Sequence, residues 1–438
     1  MTQKRPINAD TPPAVPKREP EPVESPSISP SAPGPRRRPI PGVLKAIAGL
    51  VIVAIVFLVA AIVGGGGGSE QATSGTTPPL SSGETDEAGG TPPATASNNT
   101  TRIGSSDPAA TGAAVALAVY PSTTPAQRPG AVTLVGETWQ NAVAATVLMA
   151  PPIQAPLLIS SAGGPLPASE QALGLLDPKG IVLKKAGNRS RVGGQAYAIG
   201  PVATPALQAI RTAETTGAPQ AAEIEALRNS LFREPPKHVV IAAEGDPAFA
   251  VPAAAWAARS GDPILYSRTD KLPAATATAL KAHPKIPVYL LGPTSVISPA
   301  VMREVAKINK HVKRVSGKTP AENAIALARY ADGSFGWNVN DPGHGFVVAS
   351  SDSPLNAALA APLSASGTWG PLLLTESADK LPQAVRQYLL DVKPGYTTDP
   401  TRAFYNHVWI VGDEEEIDAN EQAEINQLAE LTKVGGEG

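Results

Sequence analysis

Two stretches of the chain read almost alike: "GDPILYSRTDKLPAATATAL" from Gly261 to Leu280 and "GPLLLTESADKLPQAVRQYL" from Gly370 to Leu389. A looser third copy, "QAPLLISSAGGPLPASEQAL", runs from Gln154 to Leu173. Each is preceded by a β-branched run starting at Val132, Val239 or Val347, and the distance from that valine to the proline of the copy (Pro156, Pro263, Pro371) is 24 positions in all three. A spacing kept three times marks an internal repeat, which has to be recognised before any fold is assigned.

Working outward, each unit continues with an alanine-rich stretch of helical character: Asn141 to Ala150, Pro252 to Ser260, Asn356 to Ala365. A second apolar strand follows at Pro156 to Ile159, Pro263 to Tyr266 and Pro371 to Leu374, and a Leu-Pro pair then suits a helix start. A third strand ends at glycine in "AYAIG" (Ala196 to Gly200), "VYLLG" (Val288 to Gly292) and "VWIVG" (Val408 to Gly412). A further helix closes the unit, with Ser298 expected as a cap and Pro299 in the first turn of the clearest example. Apolar strands alternating with helices mean parallel sheet covered on both faces. The expectation is α/β: three small doubly wound modules rather than one large sheet.

A preamble precedes the first unit, "TRIGSSDPAATGAAVALAVY" from Thr101 to Tyr120, and the third, "KRVSGKTPAENAIALARY" from Lys313 to Tyr330. Arg102 and Arg314 stand about thirty residues before Val132 and Val347. The corresponding place before the second unit reads as a helix, Ala218 to Phe232, without that Arg and Gly pattern, so this preamble reads as diverged or replaced.

The chain ahead of the repeats has a different character. Residues 1–42 hold twelve prolines and the basic cluster Arg36-Arg37-Arg38, with little to bury, which predicts a disordered tail. Val43 to Val63 ends in 18 uncharged residues, long enough to cross a bilayer, and follows a tail too long for a cleaved signal peptide. It is expected to be a retained transmembrane signal anchor. Basic residues before the span and none in Gly64 to Thr101 put the N-terminus in the cytoplasm and the rest of the chain outside. Residues 64–100 read as a flexible linker. The expected modules are 101–217, 218–312 and 313–434. Segments such as Pro30 to Pro41 could recruit a cytoplasmic partner by polyproline recognition.

The chain has no cysteine, which removes thiol nucleophiles and Cys-based zinc sites. A net charge of -2 argues against nucleic acid as a partner. The five histidines, His238, His283, His311, His344 and His407, show no metal-binding spacing, and G-x-G-x-x-G and G-x-S-x-G are absent. No cofactor and no metal is expected. "GDEEEID" (Gly412 to Asp418) reads as a solvated turn at a helix N-terminus rather than a cation site. With no nucleophile, base and orienter set legible, the chain reads as a non-enzyme.

"RVSG" (Arg314 to Gly317), "PLLLTESADKLP" (Pro371 to Pro382) and "VYLLGPTSVIS" (Val288 to Ser298), taken in order and repeated, resemble the type 2 cell-wall-binding repeat, and the resemblance covers most of Thr101 to Leu431. It implies three flavodoxin-like repeats around a pseudo-threefold axis on a bacterial surface protein, binding anionic, teichoic-acid-like wall glycopolymer noncovalently. The residues it puts forward as candidate binding positions are Arg102, Thr111, Asn141, Arg314, Gly317, Asn323 and Asn356. The chain departs from the family pattern where an acid is expected before Ala-Leu (Asn141, Ala248 and Asn356), where a second preamble Arg is expected (Pro108 and Pro320), and where Asn323 replaces a Thr. Asn141 and Asn356 are read as helix caps rather than ligands. Arg102 and Arg314 could contact polymer phosphate or hold modules together. The alternative is an extracellular scaffold on the same fold that docks an exported protein; a sugar- or phosphate-acting enzyme comes third.

Overall fold

In the computed structural model, residues 95–435 are described, apart from 185–189, 206, 233 and 368. The expected tail, the Val43 to Val63 anchor and nearly all of the linker lie outside the described residues. Among the described residues no helix is long and apolar enough to cross a membrane.

The architecture is mixed α/β with three separate parallel sheets of like strand order. In the first, Val132–Val135 lies between Leu157–Ser161 and Ala196–Ile199. In the second, Val239–Ala243 lies between Ile264–Ser267 and Val288–Leu291. In the third, Gly345–Ser350 lies between Leu372–Thr375 and His407–Val411. The central strand is buried along its whole length in each case, which is why it reads as an unbroken apolar run instead of an alternation.

Strand pairing corrects the alignment of the third unit. Val132 pairs with Ala196, Val239 with Val288, and Phe346 with Val408, so Phe346, not Val347, is the counterpart of the two valines. The third unit carries one extra residue between its first strand and Asn356, because the fifteen-residue step from Asn141 to Pro156 is also that from Asn356 to Pro371.

A fourth strand joins each sheet beside the third, and it comes from the following preamble. Ala209–Arg211 completes the first sheet and Val312–Val315 the second. The third sheet is completed by Thr100–Ile103, from the other end of the folded region. The sequence places this Arg102 stretch with the first unit by chain order; its strand instead hydrogen-bonds with His407–Val411. Thr95–Ser97 adds an antiparallel strand that covers the outer edge.

The preamble helices go the other way. Pro108–Val119 packs on the second strand of the first unit, Gly217–Leu231 on that of the second, and Pro320–Arg329 on that of the third. Each preamble therefore straddles two units, strand in one sheet and helix over the next.

The alanine-rich segments meet where the units converge. Pro252–Ser260 packs against Ala361–Ala365 of the third unit and the 3-10 turn Thr146–Met149 of the first. Ala254, Ala255, Ala258, Val147 and Leu148 are fully buried there, and alanine lets the backbones approach closely. The helix expected over Asn141 to Ala150 runs from Trp139 to Ala145 before tightening into that turn. Ser298 caps Pro299–Ile308 as expected, its Oγ accepting from the Val301 amide.

Candidate functional site

The fourth strands bring the candidate residues together at the carboxyl ends of the sheets, where open α/β folds bind ligands. Arg102 pairs with Ile410, Arg314 with Leu290, and Arg211 with Ala198. These three partners are the third residues of the three strands ending in glycine, so Arg211 is the arginine of the second preamble. The preamble was neither lost nor replaced. "AIRTAETTG" hides it by lacking the R-x-S-G pattern and by standing only 28 residues before Val239.

Each arginine braces the loop that follows the neighbouring strand. Arg102 Nη1 donates to the carbonyls of Gly412 (3.0 Å) and Asp413 (2.8 Å), Nη2 to Ile417 (2.7 Å), and Nε to Gln422 Oε1 (2.9 Å). Four of the five N–H groups that a guanidinium offers are thereby engaged. Arg314 donates to Gly292 O (2.5 Å) and Ile297 O (2.7 Å). Arg211 donates to Val202 O (2.8 Å) and Thr204 Oγ1 (2.6 Å). Exposure separates them: Arg102 is 9% exposed, Arg314 half-buried and Arg211 exposed.

Burial lowers the Arg102 pKa, and the acids Glu414, Asp413, Asp418 and Glu416 around it work in the opposite direction. The GDEEEID loop is therefore the cradle of a guanidinium as well as a helix entry. Asp418 caps Ala419–Ala429 by accepting from the Glu421 amide. Among the described residues no cluster of His, Asp and Glu could hold a metal ion.

Thr111, Gln220 and Asn323 occupy the fourth position of the three preamble helices. Thr111 Oγ1 accepts from the Ser105 amide (3.0 Å), Gln220 Oε1 from Thr215 (3.2 Å), and Asn323 Oδ1 from Gly317 (3.3 Å). One side chain thus fixes the strand-to-helix loop at every junction. Gly317 is required there, since a Cβ would lie 2.2 Å from the Glu322 carbonyl carbon and 2.3 Å from the Asn323 nitrogen.

Asn141 and Asn356 are not caps. The N-caps are Thr138 and Ser353, and each Asn sits three positions further on, as the third residue of its helix. Their amides cross to the next preamble loop, Asn141 Nδ2 to Thr215 O (3.3 Å) and Asn356 Nδ2 to Ser105 O (3.0 Å). Asn356 also donates to the Glu416 carboxylate (3.2 and 3.3 Å). In the second unit Ala248 cannot do this, and the bond is made from the other side by Asn323 Nδ2 to Phe249 O (3.2 Å). The seven candidates thus fall at three equivalent junctions: Asn141 beside Arg211, Arg314 with Gly317 and Asn323, and Arg102 with Thr111 and Asn356.

Residues 211–302 match the family described as Cell wall binding domain 2. That stretch, about a fifth of the chain, is what resembles a cell wall binding domain 2. The match opens on Arg211, the last residue of the strand lent to the preceding sheet. Among solved structures, Cwp8 from Clostridium difficile superposes with a TM-score of 0.54 at 18% identity, over 76% of this chain and 52% of that one. Cwp6 from Clostridium difficile gives 0.57 at 16%, over 76% and 48%. This chain therefore spans about half the length of each, and the likeness is one of fold. No curated protein sequence matches the chain.

Proposed function

We propose that this is a cell-envelope protein whose three modules, each flavodoxin-like in its 2-1-3-4 strand order, bind anionic wall glycopolymer noncovalently on the outer side of a membrane anchored through Val43 to Val63. The module divisions are 101–217, 218–312 and 313–434, with residues 1–42 as a cytoplasmic tail and 64–100 as the tether. The observation that carries this reading is the match of residues 211–302 to Cell wall binding domain 2.

The seven candidate residues act in this reading as the frame of the junction loops. Polymer phosphate would be met where a guanidinium stays open to solvent, which favours Arg211 over Arg102. The junction around Asp413 to Asp418 repels a polyanion, so the three junctions are unequal in binding although equivalent in fold.

One observation supports the scaffold alternative: the Arg and Asn side chains that would serve a polymer are engaged with backbone carbonyls at all three junctions. Cosedimentation of the detergent-solubilised protein with cell-wall sacculi, before and after chemical removal of secondary polymers, separates the two. Binding lost on stripping and weakened by Arg211→Ala supports polymer recognition. Sedimentation no better than an unrelated control protein on either preparation removes it and favours the scaffold.

A further inference from the structure

Three residues that share no sequence motif converge beside the second sheet. His238 immediately precedes the strand Val239–Ala243, Asp262 lies between the helix Pro252–Ser260 and the strand Ile264–Ser267, and Ser334 sits in the loop after Pro320–Arg329. His238 Nδ1 is 2.8 Å from Asp262 Oδ2, and His238 Nε2 is 3.3 Å from Ser334 Oγ. Asp262 also accepts from the His238 amide (3.0 Å) and from Trp256 Nε1 (3.0 Å). The carboxylate is thus locked by three donors, which fixes the Nδ1–H tautomer and leaves Nε2 as acceptor toward the serine hydroxyl.

Burial is graded along the same line. Asp262 is 1% exposed, His238 is 6% exposed, and Ser334 is exposed. The imidazole stands edge-on to Tyr289 and Phe335, whose rings stack at 3.6 Å, so water is kept from its flanks. Ser334 is held as well. Asp332 and Phe335 exchange backbone hydrogen bonds across Gly333 and Ser334 (2.9 and 3.1 Å), Phe335 is buried, and Asp332 is pinned by Tyr289 Oη (2.7 Å) and Lys313 Nζ (2.5 Å). That pair of bonds closes a short turn with Ser334 at its tip.

We propose that Ser334 is an activated nucleophile, with His238 as its general base and Asp262 as the positioning residue, and that this site hydrolyses short acyl esters of exposed alcohols. A nucleophile, a base within hydrogen-bond reach and an orienting third group are the geometric signature of this chemistry. Ser334 Oγ adds to the ester carbon as its proton passes to His238 Nε2. The ester C–O bond breaks, and the alcohol leaves with that proton. Water, deprotonated by the same nitrogen, then cleaves the acyl-serine, so the balance is ester plus water giving acid plus alcohol. Placement on a surface hairpin suits an ester carried on a protruding chain.

The test is to treat the full chain in detergent with a fluorophosphonate probe and, separately, with p-nitrophenyl acetate between pH 5 and 9. The expected result is one covalent adduct, mapped to Ser334 by peptide mass, and ester turnover above that of buffer alone. Ser334→Ala removes the adduct and lowers turnover on the order of 10²-fold or more with an unchanged melting temperature, because an exposed hydroxyl contributes little to the fold. Asp262→Asn keeps the nucleophile but favours the wrong tautomer, so it slows adduct formation and lowers turnover by no more than Ser334→Ala does. Absence of a Ser334 adduct in folded protein, labelling no greater than that of other exposed serines, or turnover unchanged in Ser334→Ala would each overturn the assignment.

Discussion

Arg102 Nη1 donates to the carbonyl of Gly412 at 3.0 Å across 310 residues of chain, and the strand bearing Arg102 pairs with the strand that ends at Gly412. The first described strands therefore close the last sheet. The first two sheets take their fourth strands from the chain immediately downstream, and the third takes its own from the stretch upstream of the first unit. Two ends of a repeat array that would otherwise present a bare strand edge and an unbraced loop are satisfied by each other.

The three arginines should differ in what they contribute to stability. Arg102→Ala leaves the buried carbonyls of Gly412 and Ile417 without donors, which costs on the order of 3 kcal/mol. Arg314→Ala should cost about 2 kcal/mol, and Arg211→Ala, whose guanidinium is exposed, about 1 kcal/mol or less. Thermal unfolding of the three variants checks the order; an Arg211 variant as unstable as the Arg102 variant would contradict it.

Restoring the acid of the family pattern should harm this chain. Asn356 Nδ2 donates to Ser105 O and to Glu416, whose pKa is raised by burial while Ser353 and Asn356 work against that rise. Asn356→Asp sets two carboxylates together and faces one of them with a carbonyl. A loss of roughly 2–3 kcal/mol at neutral pH is expected, easing in acid as the pair takes up a proton. Melting curves at pH 5 and pH 8 measure it.

Much of this fold is legible in the sequence because each unit repeats physically distinct signals: a β-branched run, an alanine-rich helix, Leu-Pro at a helix start and glycine at a strand end. The fourth strands are not, since "TRI", "AIR" and "KRV" are short, partly polar, and take their meaning from the sheet they join. Phe346 was displaced by one position because valines, not pairing partners, set the alignment. Asn141 and Asn356 looked like caps because a cap and the third residue of a helix both begin an apolar run. His238, Asp262 and Ser334 lie 24 and 72 residues apart, so only tertiary structure brings them into one line.

Glu421 should make the protein less stable as pH rises. It is 2% exposed, neither carboxylate oxygen has a hydrogen-bond partner among the described residues, and its pKa is pushed up to about 7 by burial and by the charges of Asp418, Glu424 and Asp379. Thr375 gives partial relief, although its hydroxyl donates to Ser377 O. Between the ordinary glutamate pKa and about 7 the folded chain holds a proton that the unfolded chain has released, so stability falls with rising pH across that window and the penalty persists above it. The loss is about 2 kcal/mol after allowance for solvent screening. Glu421→Gln should therefore raise the melting temperature at pH 8 and leave it nearly unchanged at pH 4.5.

Gly317→Ala tests whether the junction loops are as closely fitted as their hydrogen bonds imply. The added methyl would fall 2.2 Å from the Glu322 carbonyl carbon and 2.3 Å from the Asn323 nitrogen, which are backbone atoms at the start of a helix and cannot rotate aside. The loop must move, and with it the Gly317 amide that Asn323 Oδ1 accepts from. The same Asn323 donates to Phe249 O in the preceding unit, so the disturbance reaches across the junction. A cost of roughly 2–4 kcal/mol follows for a clash against backbone with a lost buried bond. Gly333→Ala serves as the control. Its added methyl has open space within 4 Å, so only its positive φ of 63° resists the change, at about 1 kcal/mol. Equal destabilisation of the two variants in chemical unfolding would show that backbone conformation, and not the fit of loop against helix, sets the glycine requirement at the junction.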